Sequence, residues 1–197
     1  CTPIYNALDP QEHRPLSNSV RTEFDVLFMG NRLPDRESRV ERFFLRAAEL
    51  CPEGRFALGG EGWGDKPMPS NVAYLGHVPT GRHNEVNASS RLVLNIHRDS
   101  MVQNGWSPAT RMFEAAGAAS CQITDAWRGI EEFFAPGEEI LVAEDAEAIV
   151  RFVRQVTPER ARAIGKAARS RALRDHTYDQ RALLLDSILR QPQGTPA

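Results

Sequence analysis

Short apolar runs alternate with amphipathic stretches along this chain, and the alternation predicts its secondary structure. "FDVLFMG" (Phe24–Gly30) is an apolar run closed by glycine, the pattern of a buried strand. From Asp35 onward, Val40, Phe43, Phe44, Ala47 and Leu50 recur at helical spacing and give that segment one apolar face. Further short strands are expected at Arg55–Gly60, Asn71–Val78, Arg91–His97, Ser120–Thr124 and Glu138–Ala143. Between them fall a polar helix in "PTGRHNEVNASS", a helix beginning at Ser107 and a short helix in "GIEEFF". Ser107 reads as an N-cap and Pro108 as a first helical residue. From Asp145 the pattern is helical: "DAEAIVRFVRQV", then Thr157–Arg174, then a last helix from about Thr177 to Arg190.

This order predicts an α/β fold: a Rossmann-like open parallel sheet of about six strands, flanked by helices, with extra C-terminal helices. The sheet domain is expected over 23–176, a C-terminal helix over 177–190 and a disordered tail over 191–197. Residues 1–22 are Pro-rich and irregular, and the chain opens on Cys1. They read as a crossover linker, and the sequence as a piece of a longer protein.

Open parallel sheets bind ligands beyond the carboxyl ends of their strands, so the residues just after each strand carry the functional signal. After the first strand come Gly30, Asn31 and Arg32. They can donate to phosphate oxygens, or form a plain turn with a solvated arginine. After the second comes "GGEGWGD". Its third glycine falls at 64 rather than 65 and no helix follows, so the dinucleotide fingerprint fails and a flexible surface loop is expected. After the third come Gly76, His77 and Val78, whose backbone can pair with a base edge; strand termination by Pro79 is the alternative. After the fourth comes an irregular stretch containing Arg98.

The helix from Ser107 is the densest signal. Its first turn, with Ser107 and Thr110, makes an anion site; Arg111 adds a fork for phosphate; Glu114, on the same face, can accept two bonds from a vicinal diol such as ribose. The run Ala115–Ala119 lets this helix sit close to the sheet. The bland alternative is an i,i+3 Arg–Glu surface pair.

Composition adds exclusions. The 197 residues carry a formal net charge of −2, with 22 arginines against only Lys66 and Lys166, so no global basic field points to nucleic acid. Residues 151–190 hold ten Lys/Arg against four Asp/Glu, which a solvated helical face explains without a nucleic-acid partner. Cys1, Cys51 and Cys121 form no metal-ligand spacing and suit a reducing compartment; with no signal peptide or apolar span in view, a cytoplasmic location is expected.

"FMGNRLPDRESRVERFF", "YLGHV", "VLNIHRDSM", "GWSPATRMFEAAGAASCQITDAWRGIEEFFAPGEEILVA" and "HTYDQRA" together resemble the C-terminal half of CgeB-like (spore-maturation-protein-B-like) glycosyltransferases, over roughly Ile4 to Leu189. The resemblance implies the second, nucleotide-sugar-binding domain of a two-domain GT-B enzyme, partnered by a missing N-terminal domain. It implies that Glu114 holds the donor ribose. Arg111 and the Ser107–Thr110 turn would lie near the diphosphate, Gly30, Asn31 and Arg32 would face the phosphates, and Gly76, His77 and Val78 the base. The catalytic base is unassigned. Retaining relatives carry a second glutamate eight residues before the ribose glutamate, where this chain has Trp106. That departure favours the alternative of a non-catalytic nucleotide-binding or scaffolding module. No DxD motif occurs, so no metal is expected: charge on the leaving nucleotide would be stabilised by arginines and the helix N-terminus.

Overall fold

A computed structural model describes residues 2–18 and 20–190; the expected tail at 191–197 lies outside them. Six parallel strands form one open sheet in the order β3-β2-β1-β4-β5-β6. The strands are β1 (Phe24–Met29), β2 (Phe56–Gly59), β3 (Val72–Gly76), β4 (Ser90–Asn95), β5 (Gln122–Asp125) and β6 (Leu141–Ala143). The expected α/β sheet is present, with each strand shorter by a residue or more than its expected span, β4 starting one residue earlier and β5 ending one residue later than expected.

The strand residues alternate between two cores, as a pleat requires. Val26, Phe28, Leu58, Leu92 and Leu94 face a core completed by Phe44, Ile149 and Ile164. Leu27, Ala57 and Val93 face the other side, against Val86 and Ala115. With both faces covered, the strands read as nearly continuous apolar runs.

β1 leads into α1 (Glu37–Val40), which passes through a π-helical turn (Glu41–Leu45) into α2 (Arg46–Leu50). The expected polar helix is a 3₁₀ turn (Thr80–Arg82) followed by α3 (His83–Ala88). After β4 the chain forms α4 (Asp99–Asn104), where an irregular loop was expected, and then α5 (Thr110–Gly117). A 3₁₀ turn (Ile130–Glu132) precedes β6. The chain closes with α6 (Ala146–Gln155), α7 (Pro158–Asp175) and α8 (Tyr178–Arg190). Asp145 and Thr157 cap α6 and α7 by accepting from Ala148 and Arg160 backbone N–H groups.

Three local expectations are corrected. Ser107 does not cap α5: the helix begins at Thr110, Ala109 stands at the N-cap, and no side chain caps it. Pro108 therefore sits in the approach to the helix rather than in its first turn. The small residues of α5 serve more than the sheet. A Cβ on Gly117 would fall 2.4 Å from Leu8 and 2.6 Å from the His13 carbonyl oxygen, and one on Gly165 of α7 would fall 2.0 Å from the Ala119 carbonyl oxygen. The small stretch thus admits both α7 and the N-terminal segment to close range. That segment is held further by paired backbone bonds: Leu8 N–H donates to the His176 carbonyl and Tyr178 N–H to the Leu8 carbonyl. Finally, the glycine-rich stretch after β2 is anchored. Trp63 is fully buried and its Nε1–H donates to the Gly30 carbonyl at 2.8 Å. Gly60, at φ +129°, lies against the Gly30 carbonyl, where a side chain has no room.

Candidate functional site

The sheet order reverses between β1 and β4, and such a switch point opens a crevice at the carboxyl ends of the strands. A cleft of about 330 Å³ lies there, lined by Gly30, Asn31, Arg36, His77, Arg111 and Glu114 among others. A second lobe of about 330 Å³ shares Arg36, Arg111 and Glu114 and adds Asn6, Met101, Pro108 and Thr110. Four expected regions therefore converge: the turn after β1, the turn after β3, and the approach and first turns of α5.

The electrostatics come from two arginines. A Cβ on Gly30 would lie 2.6 Å from Arg111 Nη1 and 2.8 Å from Arg36 Nη1, so both guanidinium groups crowd the same glycine. Arg111 donates to the Met29 carbonyl. Arg36 reaches only the Asn31 carbonyl at 3.5 Å, and its Nε is buried without a partner. Neither forms an ion pair among the described residues. Burial pushes the Arg111 guanidinium down to about 10, and the charge of Arg36 adds to the effect. Arg36 is lowered too, by burial first and then by Arg98. Two neighbouring cations held out of water without a counter-ion favour an anion between them. Arg36 is absent from the residues expected from the sequence; "PDRES" reads as an ordinary helix start, and nothing in its spacing says that one arginine folds back over Gly30.

Glu114 sits one turn along α5 from Arg111, but the two do not pair. Its carboxylate faces His13 Nε2 at 3.8 Å and His83 Nδ1 at 4.0 Å instead. It is partly buried, and its acceptor oxygens are free to meet a ligand.

The remaining expected residues divide. Asn31 lines the cleft, its Oδ1 accepting from the Glu61 backbone N–H. Gly76 adopts φ +65° and turns the chain so that His77 and Val78 form one wall. Thr110 accepts from Asn6 Nδ2 at 2.8 Å in the second lobe. Arg32 turns away from the cleft into pairs with Glu37 and Asp65. Arg98 is held by Asp35 at 2.7 Å, also outside the lining. Ser107 is partly buried and lines neither lobe.

Behind the cleft lies a charged network that is structural. Arg39 Nη2 binds Asp125 Oδ2 at 2.5 Å, and Asp125 Oδ1 is 2.8 Å from His97 Nδ1, all in the interior. Burial alone would raise the Asp125 carboxyl, but bonds from His97 and Arg39 outweigh it and hold it below the usual carboxylate range. A larger depression of about 730 Å³ lies at the amino ends of β1 and β4. Its half-buried arginine, Arg91, is consumed by Asp25 and by the Val153 and Val156 carbonyls.

A six-stranded parallel sheet wound in both directions from a central switch point, with a cleft at that point, is an open α/β fold of the Rossmann-like type. The chain belongs to the glycosyl transferase-like family, whose model matches residues 36–187. No curated protein matches it significantly. Among solved structures it resembles sucrose-phosphate synthase from Thermosynechococcus elongatus, with TM-score 0.76 and 15% identity, over 95% of this chain and 51% of that one. It also resembles Anabaena HepE in complex with UDP and glucose (TM-score 0.74, 14% identity, 96% of this chain, 56% of that one). A third likeness is to AviGT4, a glycosyltransferase of avilamycin A biosynthesis (TM-score 0.69, 20% identity, 98% and 58%). The chain spans about half the length of these structures. No helix among the described residues is long and apolar enough to cross a membrane.

Proposed function

We propose that this domain is the donor-binding half of a GT-B glycosyltransferase of the CgeB-like type and holds a nucleoside-diphosphate sugar in the switch-point cleft. The observation that carries the reading is the pair of guanidinium groups, buried Arg36 and half-buried Arg111, that meet over Gly30 with no carboxylate between them. The diphosphate would lie between them. The ribose would be held by Glu114, whose two oxygens match a vicinal diol, and the base would lie against His77 and Val78. The sugar would extend into the second lobe, beside Thr110 and the α5 N-terminus.

In this reading no metal bridges the diphosphate. Charge on the leaving nucleoside diphosphate is met by Arg36, Arg111 and the first-turn amides of α5, fixed before the bond breaks. HepE, similar in fold, is a protein whose structure holds UDP and glucose, and that supports a uridine nucleotide as the first donor class to test. The acceptor and any general base belong to a preceding domain, across the cleft, in a cytoplasmic enzyme.

Calorimetric titration of the chain with UDP, GDP, dTDP and ADP, repeated with Glu114→Ala, tests this. One nucleotide should bind, and loss of Glu114 should weaken it by about 1.5–3 kcal/mol, the range for hydrogen bonds to a charged group. Equal affinity in the variant would remove Glu114 from the site. Trp106 favours a second reading, a donor-binding module that does not transfer. It stands where the resemblance expects a glutamate, and is fixed there by Glu132 and by Arg128 over its ring. Donor hydrolysis by the full-length protein separates the two.

A further inference from the structure

We propose that His13, His83 and Glu114 form a binding site for a divalent transition-metal ion of the zinc class, at the floor of the donor cleft. One ligand atom from each of the three lies within 4.8 Å of the others. Tetrahedral zinc with bonds of about 2.0–2.1 Å places its ligands about 3.4 Å apart. The observed 3.8 and 4.0 Å separations need only small side-chain rotations to close.

The hydrogen bonding points to a cation. His83 Nε2 lies 3.2 Å from the Val78 carbonyl oxygen, which can only accept, so in the neutral ring Nε2 carries the proton. Nδ1 is then a bare lone pair. It is buried, has no partner, and faces a carboxylate oxygen. A buried lone pair facing a half-buried carboxylate oxygen is stabilised by a positive ion between them. A ligating imidazole that gives its other N–H to a backbone carbonyl is the usual arrangement at metal sites, because that bond fixes the tautomer and aims the lone pair.

His13 supplies the third ligand from the N-terminal segment. It is more than nine-tenths buried, its Nδ1 has no partner, and its ring stacks on that of His83 with centroids 6.2 Å apart. Its position follows from the close approach at Gly117: the His13 carbonyl packs on that glycine, three residues along α5 from Glu114. Two imidazoles and one carboxylate suit zinc, nickel or copper and poorly suit magnesium or calcium.

Glu114 cannot serve a metal and a ribose together, so the ion would compete with the donor. That consequence alone rests on the donor-site reading; the metal site does not. Titration of the full chain with zinc chloride, without nucleotide, should show one equivalent bound. His13→Ala, His83→Gln and Glu114→Ala should each weaken it by at least roughly tenfold, with far-UV circular dichroism reporting that each variant is folded. Cobalt(II) on the wild-type chain should give the intense visible bands of a tetrahedral site, lost in His13→Ala. No zinc binding, or equal affinity in wild type and the folded variants, would overturn the proposal. For the competition, the ratio of UDP Kd with zinc to that without should be about tenfold larger in wild type than in His13→Ala. Zinc chelated by UDP in solution affects both chains alike and drops out of that comparison. If UDP binds neither chain, the donor reading fails while the zinc titration still stands.

Discussion

Arg36 and Arg39 lie one helical turn apart, are equally buried at 7% and 8% exposure, and do opposite things. Arg39 turns into the protein and meets Asp125 at 2.5 Å, with Asp99 at 3.5 Å behind it. Arg36 turns over Gly30 and meets another arginine. A buried charge that is paired can hold a fold together; one left unpaired costs stability and is retained for something outside the chain. Burial and residue type are the same at both positions, so only the partner separates structure from function.

The largest expected effect is at the paired site. Arg39→Met leaves the Asp125 charge buried and should cost about 3–5 kcal/mol in urea unfolding. A loss under about 1 kcal/mol would mean that the network is relieved by water and the contrast with Arg36 is false. Next comes the anchor that shapes the cleft. Gly60→Ala forces a side chain against the Gly30 carbonyl at φ +129°, and should cost about 1–3 kcal/mol while weakening nucleotide binding. Gly76→Ala, with nothing within 4 Å of its Cβ, meets backbone strain alone and should cost less.

The paired site also carries a pH signature. Asp125 is held below the usual carboxylate range in the folded protein, so its contribution is fully present above the unfolded value of about 3.9 and is lost as pH falls through the folded value. Urea midpoints of wild type should fall below about pH 4, and those of Asp125→Asn should fall less steeply over the same window. At the small end, Arg154 and Glu53 form an exposed pair at 3.0 Å across α6 and the turn after α2; Glu53→Gln should leave the melting temperature unchanged.

The fold was largely legible because both faces of the sheet are covered. Covered strands such as Leu92–Leu94 appear as apolar runs that periodicity finds, and Asp145 and Thr157 announce helices by their caps. The start of α5 was misread because Ser107 and Pro108 carry cap chemistry, yet here they serve the approach to the helix. The cleft was half legible. Glu114 and Arg111 share a helical face, and Gly30 and His77 follow strands, so local rules reach them. Arg36 was missed, and Arg32 and Arg98 are engaged in ion pairs outside the cleft, because the rotamer and partner of an arginine are tertiary facts. The His13–His83–Glu114 group was invisible for the same reason. Its members are scattered along the chain, and His13 reaches the other two where Gly117 and bonds to Asn84 admit and hold the N-terminal segment.

The most direct measurement is the melting temperature of wild type and Arg36→Met, each with and without UDP. Removing an unpaired buried charge should raise the melting temperature of the ligand-free chain by a few degrees, equivalent to about 1 kcal/mol, and should abolish the rise that UDP gives the wild type. A ligand-free variant that melts lower than wild type, or one that keeps the full UDP shift, would contradict the claim that Arg36 is held for a diphosphate.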